Sequence, residues 1–340
     1  MQKRVLIVDY NHMIYNYLYG GTPSLTHTVV LNGQPQTINT TLQTFTIKAI
    51  HRWSNYGQNP TAVCFDSPCR CRRKYFEEAK IRTGGKLEPV AYKSGRASLK
   101  GDVYNAINMT LQLLHQSGVC VYKAANFEAD DLVFACVQKA KQQYPDLPID
   151  IVCNDADLLP LVDDQVSVFL RSKVNTWAES KELEKQHYIQ VTPRNYQETV
   201  ERLTDYKKLL VPYNSILLTK LLRGDKSDTV PAMDTWKPKM YKQLVTMLQE
   251  NGEDLDGMFR YGGEEQLNYM CSILEKYIDE EDIEHIKFIY RGINLNQAFR
   301  DLPDGYNREP AIIQSDILPY SEGSLQSKVS VLNIQLPTRR

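Results

Sequence analysis

The sequence shows no excess of charge of either sign and no long apolar run. Its 340 residues carry a net charge of −1 at pH 7, so overall basicity does not indicate a nucleic-acid partner. This balance does not exclude such a partner, because an acidic site and a basic surface cancel in the sum. No run reaches the roughly 18 apolar residues that a transmembrane helix needs, so we expect no membrane association.

Cysteines and histidines are few. The seven cysteines are an odd and scattered set, which favours reduced thiols in a cytoplasm over a disulfide framework. Cys64, Cys69 and Cys71 lie close together, but no second cysteine or histidine pair completes a structural zinc set. The apolar stretch before Asp9 is too short for a signal peptide. We therefore expect a cytoplasmic protein.

Strand-like and helix-like patterns alternate over residues 1–204. Apolar, strand-like runs occupy 3–9, 61–66, 118–124, 149–155 and 165–171, with a possible edge strand at 187–193. Helical patterns lie between them, at 39–55, 103–118 and 131–144. This alternation predicts an α/β fold in which helices cover both faces of a mainly parallel sheet.

Residues 205–340 show different sequence patterns. Helical patterns without strand signals predict a second, helical domain over residues 205–300. Residues 301–340 are expected to be a connection and a C-terminal tail, either disordered or packed.

Acidic residues follow the predicted strands. Asp9, Asp66 and Asp155 each come directly after an apolar run. Ligands of open α/β sheets bind outside the carboxyl ends of the strands, so these side chains should share one edge. Four further acids lie on segments that lead to that edge, and two more lie in the GDKSD stretch. The full set is Asp9, Asp66, Glu128, Asp130, Asp131, Asp155, Asp157, Asp225 and Asp228.

Nine carboxylates at one edge predict a metal site. Each acid alone is compatible with a helix cap or a strand-end turn, but five converging segments favour a shared function. Carboxylates held together without cations repel one another at high cost. Oxygen ligands with few histidines indicate Mg²⁺, with Mn²⁺ as a substitute, rather than zinc. We expect two such ions, rather than cations of the protein, to offset the repulsion and to assist a phosphodiester displacement.

A basic segment follows Asp66. Between residues 67 and 101, ten cations against three acids leave a local charge of +7. Tyr75, Phe76 and Tyr92 lie among these cations, as is typical of surfaces that stack bases and neutralise phosphates. A solvated, flexible loop is the alternative interpretation. The cations are Arg70, Arg72, Arg73, Lys74, Lys80, Arg82, Lys86, Lys93, Arg96 and Lys100.

These motifs resemble one family. The stretches LIVDYN, CFDSPCRCRRKYF, FEADDLVFAC, CNDADLLPLV and LLRGDKSDTVPAM occur in the order and approximate spacing of the flap endonuclease/5′→3′ exonuclease family. The resemblance covers roughly residues 3–300 and is strongest to the ribonuclease H branch of tailed phages. It implies a Rossmann-like core of the PIN/5′-nuclease type, a basic arch at 67–102, and a helix–turn–helix-like element that binds duplex DNA.

The resemblance also implies roles for individual residues. The first metal would be held by Asp9, Asp66, Glu128, Asp130 and Asp131, and the second by Asp155, Asp157, Asp225 and Asp228. Catalytic cations of the arch, which would bind and polarise the scissile phosphate, would be Arg72, Arg73, Lys80 and Arg82. Further nucleic-acid contacts would come from Arg70, Lys74, Tyr75, Lys86, Lys93 and Arg96. The family's glycine-rich hairpin after GDxxD is missing here, so the suggested duplex contacts are Lys226, Lys237, Lys239 and Lys242.

The predicted function is that of a metal-dependent 5′→3′ exonuclease and flap endonuclease. It would remove RNA primers and flaps during DNA replication, in the host cytoplasm if a phage encodes it. Expected partners are DNA and RNA·DNA duplexes with 5′ ends, flaps or forks, and a single-strand-binding protein or sliding clamp, with the enzyme a monomer. The alternative is a structure-specific nucleic-acid-binding protein with weak or no catalysis. A phosphatase of the haloacid dehalogenase type is disfavoured, because Tyr10 and Asn11 follow Asp9 where that class needs Asp-x-Asp.

Overall fold

The computed structural model describes most of the chain. The described residues are 2–11, 13–14, 24–31, 33–78, 80–83, 86–94, 101–171, 188–206, 216–226, 228–233, 235, 237, 239, 243, 246–247, 250–252, 263–293, 312–332 and 334–338. Its strands are β1 (Val5–Asp9), β2 (Thr26–Leu31), β3 (Gln34–Asn39), β4 (Thr61–Cys64), β5 (Lys80–Thr83), β6 (Lys86–Pro89), β7 (Cys120–Tyr122), β8 (Ile149–Cys153), β9 (Val166–Arg171) and β10 (Tyr188–Val191). Its α-helices are α1 (Thr41–Trp53), α2 (Arg70–Glu78), α3 (Gly101–Gln116), α4 (Ala129–Gln143), α5 (Tyr196–Tyr206), α6 (Ile216–Arg223), α7 (Glu264–Leu274), α8 (Glu280–Ile293) and α9 (Glu322–Val329).

A six-stranded sheet forms the centre of the first half. Its order is β10-β9-β8-β1-β4-β7, and every pairing is parallel except that of β10 with β9. Residues Val5 to Val8 of β1 are at most 2% exposed, which is why this strand is uniformly apolar instead of alternating. The prediction of a mainly parallel sheet with β10 at its edge is confirmed.

The topology creates a crevice at the carboxyl end of β1. The chain moves outward from β1 to β4 and β7, then returns to β8 on the other side of β1 and continues to β9. The strand order therefore reverses at β1, and open α/β sheets bind ligands at such a switch point. The acids that follow β1, β4 and β8 lie at this edge.

Two antiparallel hairpins were not anticipated by the strand and helix patterns. The first joins β2 and β3, and the second joins β5 and β6 inside the basic segment. The first hairpin carries a signal in the Asn32-Gly33 dipeptide, which is typical of tight two-residue turns. Gly33 has a φ of +76°, a conformation that glycine adopts at little cost.

Helices α6, α7 and α8 share a second hydrophobic core. Leu218, Leu221, Leu267 and Ile286 are fully buried in it, so the predicted helical region packs as expected. The rest of this core comes from an unexpected source, because α2 and the segment after β6 also pack into it.

The aromatic residues of the basic segment belong to this second core. Tyr75, Phe76 and Tyr92 are between 0% and 7% exposed. The Phe76 ring stacks on Tyr92 with centroids 4.6 Å apart, and Tyr75 stacks on Phe288 at 4.5 Å. The prediction that these rings stack on bases, including the assignment of Tyr75 to nucleic-acid binding, is wrong, because the rings pack against protein.

The C-terminal segment packs onto the α/β domain. Ile313 and Ile317 join the core on one side of the sheet, while Tyr320 and Leu325 join the core on the other side. Of the two alternatives for the expected tail, the packed one holds for the described residues 312–332 and 334–338. The seven cysteines are free thiols. No helix in the described part of the chain is long and apolar enough to cross a membrane.

Candidate active site

Four carboxylates form a group at the switch point, which we call the central group: Asp9, Asp66, Asp130 and Asp155. Asp9 is 4% exposed, and burial together with the charges of Asp66 and Asp155 raises its pKa to about 8. Burial and the charges of Asp155 and Asp9 likewise raise the pKa of Asp130 well above its usual range. Buried carboxylates that disfavour one another's ionisation indicate a site that needs positive charge.

Backbone groups fix the orientation of the central group. The amide of Ala129, at the start of α4, donates to Asp66 Oδ1 at 2.6 Å, and the amide of Asn11 donates to Asp9 Oδ1 at 3.0 Å. The side chains of Asp9 and Asp66 are therefore held before any ligand arrives. A preorganised, oxygen-only donor set of this kind fits Mg²⁺ or Mn²⁺.

Asp157, Asp225 and Asp228 form a second set, the distal group. Each offers one carboxylate oxygen, and these oxygens lie within 4.8 Å of one another. Asp225 is placed by a backbone bridge to Val230 and by Gly224, which has a φ of +72°. A Cβ on Gly224 would lie 2.4 Å from the Val230 carbonyl oxygen, so this turn requires glycine.

Lysine occupies the space among the distal carboxylates. Lys220 Nζ lies 3.0 Å from Asp225 Oδ2 and 3.7 Å from Asp228 Oδ2, and it forms a closer ion pair with Asp157. Burial alone would lower the pKa of Lys220, but the surrounding carboxylates hold it well above its usual range. The ammonium is therefore charged at neutral pH.

Glu128 and Asp131 are paired with cations of the protein. The Arg72 guanidinium pairs with Glu128 and, at 2.7 Å, with Asp131 Oδ1. Lys93 Nζ contacts Glu128 Oε1 at 2.7 Å, and the Tyr92 hydroxyl donates to Glu128 Oε2 at 3.2 Å. Although burial would raise the pKa of Glu128, Arg72 and Lys93 lower it to about 2.

Asp131 also caps α4. Its Oδ2 accepts the backbone N–H of Glu128 at 2.9 Å, as the reciprocal half of a capping box. The negative charge near the helix N-terminus is thus stabilised by the backbone and by Arg72. The assignment of Glu128 and Asp131 to the first metal stays a prediction.

The expectation that no protein cation offsets the acids is wrong. Arg72, Lys93 and Lys220 are each within ion-pairing distance of members of the predicted metal-binding set. Arg72 and Lys220 are 2% and 6% exposed. The physical reason is that these cations come from α2, the loop after β6, and α6, which fold against the acidic edge from other parts of the chain.

The predicted arch cations divide into buried and exposed members. Arg72 is buried against Glu128 and Asp131, and Lys93 is partly buried and paired with Glu128. Arg70, Arg73 and Lys74 are exposed on α2. The assignments of Arg72 as catalytic and of Lys93 as a nucleic-acid contact stay predictions, and the structure shows both side chains bound to carboxylates.

Other predicted contacts lie on the surface or outside the described part. Lys226, Lys237 and Lys239 are exposed. Arg96 and Lys242 lie outside the described residues, as do the side chains of Lys80, Arg82 and Lys86.

Two residues of the site escaped the sequence interpretation. The sequence carried one signal for Lys220: it lies about one helical turn before Gly224, which opens the acidic GDKSD stretch. Tyr92 was assigned to base stacking, yet its hydroxyl serves the site through Glu128.

The chain is similar in sequence to known proteins. The sequence model of the 5′-3′ exonuclease, N-terminal resolvase-like domain, matches residues 4–189. The chain is 26% identical over 231 residues to the thermostable DNA polymerase I of Thermus filiformis, covering 68% of this chain and 22% of the polymerase. It is 27% identical over 168 residues to a 5′-3′ exonuclease of Mycoplasma pneumoniae, covering 49% of this chain and 50% of that protein. The chain thus spans about a fifth of that polymerase.

Solved structures share the fold. A bacteriophage T5 flap endonuclease, in a pseudo-enzyme-product complex with DNA and metal ions, superposes with a TM-score of 0.53 at 12% identity. The match covers 97% of this chain and 100% of that one. A second structure, a T5 protein co-crystallised with metal ions, gives a TM-score of 0.50 at 12% identity with the same coverage. At this identity the likeness concerns the fold alone.

Proposed function

The chain belongs to the family of the 5′-3′ exonuclease N-terminal, resolvase-like domain, and from this premise we propose that it is a metal-dependent 5′ nuclease. The observation that supports the proposal is the central group, in which acids from separate segments meet at the switch point. Burial and the charges of neighbouring carboxylates raise the pKa values of Asp9, Asp66 and Asp130, and Glu128 is the neighbour that acts on Asp66. A site that destabilises its own charges gains most from a cation ligand.

The site residues would have different roles in phosphodiester hydrolysis. Asp9, Asp66, Asp130 and Asp155 would hold a divalent ion, with Mg²⁺ as the proposed species and Mn²⁺ as a substitute. When bound, the ion supplies charge stabilisation for the attacking and leaving oxygens. The contacts from Ala129 and Asn11 keep Asp66 and Asp9 in place, so little side-chain reorganisation accompanies binding. We propose a second ion at the distal group.

The proposed substrates are DNA and RNA·DNA duplexes with free 5′ ends, flaps or forks. Exposed cations on α2, namely Arg70, Arg73 and Lys74, stand close in sequence to Arg72, which reaches the acidic edge. Such cations neutralise phosphates without reading sequence. A role in removing RNA primers and flaps during replication, in a phage context and with a clamp or single-strand-binding partner, belongs to the same proposal.

Cleavage of 5′-labelled flap and RNA·DNA substrates with Mg²⁺ tests the proposal. We expect Asp9→Asn and Asp130→Asn to cut at least about 100-fold more slowly than wild type, the scale lost with one key electrostatic group. Asp146→Asn, an exposed aspartate in the loop before β8, is the control and should cut at the wild-type rate. Folded wild-type protein that cuts neither substrate with Mg²⁺ or Mn²⁺ would refute the proposal.

One observation favours a second candidate, a structure-specific nucleic-acid-binding protein with weak or no catalysis. Arg72, Lys93 and Lys220 already neutralise part of the acidic set, so the protein can retain those acids without metal. Binding to branched DNA without turnover, in EDTA and in Mg²⁺ alike, would support this candidate. Mg²⁺-dependent turnover would exclude it.

A further inference from the structure

The Lys220 ammonium lies among the three carboxylates of the distal group. Its Nζ contacts Asp225 at 3.0 Å and Asp228 at 3.7 Å, and its contact with Asp157 is closer than either. The Lys220 side chain is 7% exposed. The ammonium therefore provides the positive charge that the distal carboxylates would otherwise take from a bound ion.

A divalent ion and this ammonium would compete for the same oxygens. One carboxylate oxygen from each distal aspartate lies within 4.8 Å of the other two, so an ion bound by all three residues would lie a few ångströms from the ammonium. Like charges a few ångströms apart in a buried site repel strongly.

Packing fixes the backbone at Lys220, so only the Lys220 side chain can move. Lys220 belongs to α6, and Leu218, Leu221 and Leu222 on the same helix are fully buried in the second core. The Asp225 side of the group is equally fixed by the backbone bridge to Val230. Exchange of cations at the distal group therefore means movement of one flexible side chain rather than of a helix.

We infer that Lys220 is a built-in competitor of the second metal ion, so that the distal group accepts a divalent ion only when the ammonium leaves it. The distal group then binds its ion more weakly than it would without the ammonium. The inference rests on the proposed function only in that a divalent ion is expected at both groups.

Counting bound ions tests the inference without any substrate. Wild type, Lys220→Gln, Lys220→Arg and the control Lys276→Gln are titrated with Mn²⁺, and free ion is measured by electron paramagnetic resonance and binding heat by calorimetry. We expect at least about 10-fold tighter binding of a second ion in Lys220→Gln than in wild type, because one nearby positive charge is removed. Lys220→Arg keeps the charge, and Lys276 is exposed in the turn after α7, so both variants should resemble wild type.

Unchanged second-ion affinity in folded Lys220→Gln would overturn the inference and leave the proposed function intact. A loss of cleavage in every variant with the expected ion counts would weaken the proposed function alone. If Lys220→Gln does not fold, ¹⁵N NMR of lysine side chains in wild type decides the matter. The buried Lys220 ammonium signal must change when a second Mg²⁺ binds, and an unaltered signal with two ions bound would overturn the inference.

Discussion

Arg72 and Arg73 are neighbours in the sequence with opposite environments. The Arg72 guanidinium is buried between Glu128 and Asp131, whereas Arg73 is exposed on the outer face of α2. Their sequence context assigned both to the scissile phosphate. One helical step of 100° separates them, and this rotation alone decides which of the two faces the acids.

Replacing Arg72 should cost far more stability than replacing Arg73. Arg72→Met removes the guanidinium from two buried carboxylates and leaves Lys93 paired with Glu128 alone, which should lower the free energy of unfolding by about 3–5 kcal/mol. Arg73→Met, at an exposed position, should change it by at most about 0.5 kcal/mol. Urea unfolding of both variants measures the difference, and equal stabilities would contradict the buried network.

Asp130 and Asp131 should respond in opposite ways to the same substitution. Asp131→Asn weakens the pair with Arg72 and the helix cap, so we expect a loss of about 1–3 kcal/mol in EDTA. Asp130→Asn removes repulsion from a group in which burial and neighbouring acids already disfavour charge, so no loss is expected there.

The Mg²⁺-dependent rise in melting temperature separates the two residues further. Asp130→Asn should lose most of this rise, because stabilisation by a ligand follows its affinity. Asp131→Asn should keep most of it. The reverse pattern would place Asp131, and not Asp130, among the direct ligands.

At the scale of the element, α2 connects the acidic edge with the second core. Arg72, Tyr75 and Phe76 form its buried face, and Cys69, directly before the helix, continues the same spacing. The same helix thus delivers a cation to the site and two aromatic rings to the core. A basic, aromatic stretch is ambiguous in sequence, because the spacing shows which residues share a face and not what covers that face.

Gly292 of α8 provides a test of the packing of α2. A Cβ there would lie 2.3 Å from Cζ of Phe76, so Gly292→Ala should overpack the contact and cost about 1–3 kcal/mol. Gly323→Ala in α9 is the matched control, since its Cβ would meet nothing closer than 3.8 Å. Thermal unfolding should show that Phe76→Leu reduces the cost of Gly292→Ala. An additive double variant would mean that the two residues do not touch.

At the scale of the whole molecule, the C-terminal segment closes the α/β domain. The Tyr320 hydroxyl lies 2.7 Å from Ser54 Oγ and 3.2 Å from His51 Nδ1, and the Tyr320 amide donates to the Gly57 carbonyl at 3.0 Å. Thr61, at the start of β4, donates its amide to the Leu318 carbonyl at 3.2 Å. Residues some 260 positions apart in sequence therefore share one buried polar network.

His51 should make the free energy of unfolding depend on pH. Burial lowers its pKa below the usual value, and the opposing effect of Glu322 is smaller. Below about pH 6.5 the unfolded chain therefore binds more protons than the folded one. The contribution of His51 to the free energy of unfolding is fully present above that pH and falls as pH decreases, by at most about 1.4 kcal/mol per pH unit. Urea unfolding at pH 7.5 and 5.5 should show a smaller pH effect in His51→Gln than in wild type. His115→Gln, at an exposed histidine, should leave the effect unchanged.

The parallel sheet and the positions of the acids along it follow from local patterns in the sequence. Strands buried on both faces are mostly apolar, so β1, β4 and β8 stand out in the sequence, and the acids at or soon after their ends fall at the carboxyl edge. The Asn32-Gly33 dipeptide also indicated the β2–β3 hairpin, although the strand and helix periodicity did not predict it.

The pairing of each cation with its carboxylates depends on how distant elements pack. Arg72 lies 56 and 59 positions from Glu128 and Asp131, and Lys220 lies 63 positions from Asp157. Strand burial is a local property of a few consecutive residues, whereas an ion pair depends on how distant helices dock. Charge partners are therefore fixed by packing, and no spacing in the sequence distinguishes a buried guanidinium from the exposed one beside it.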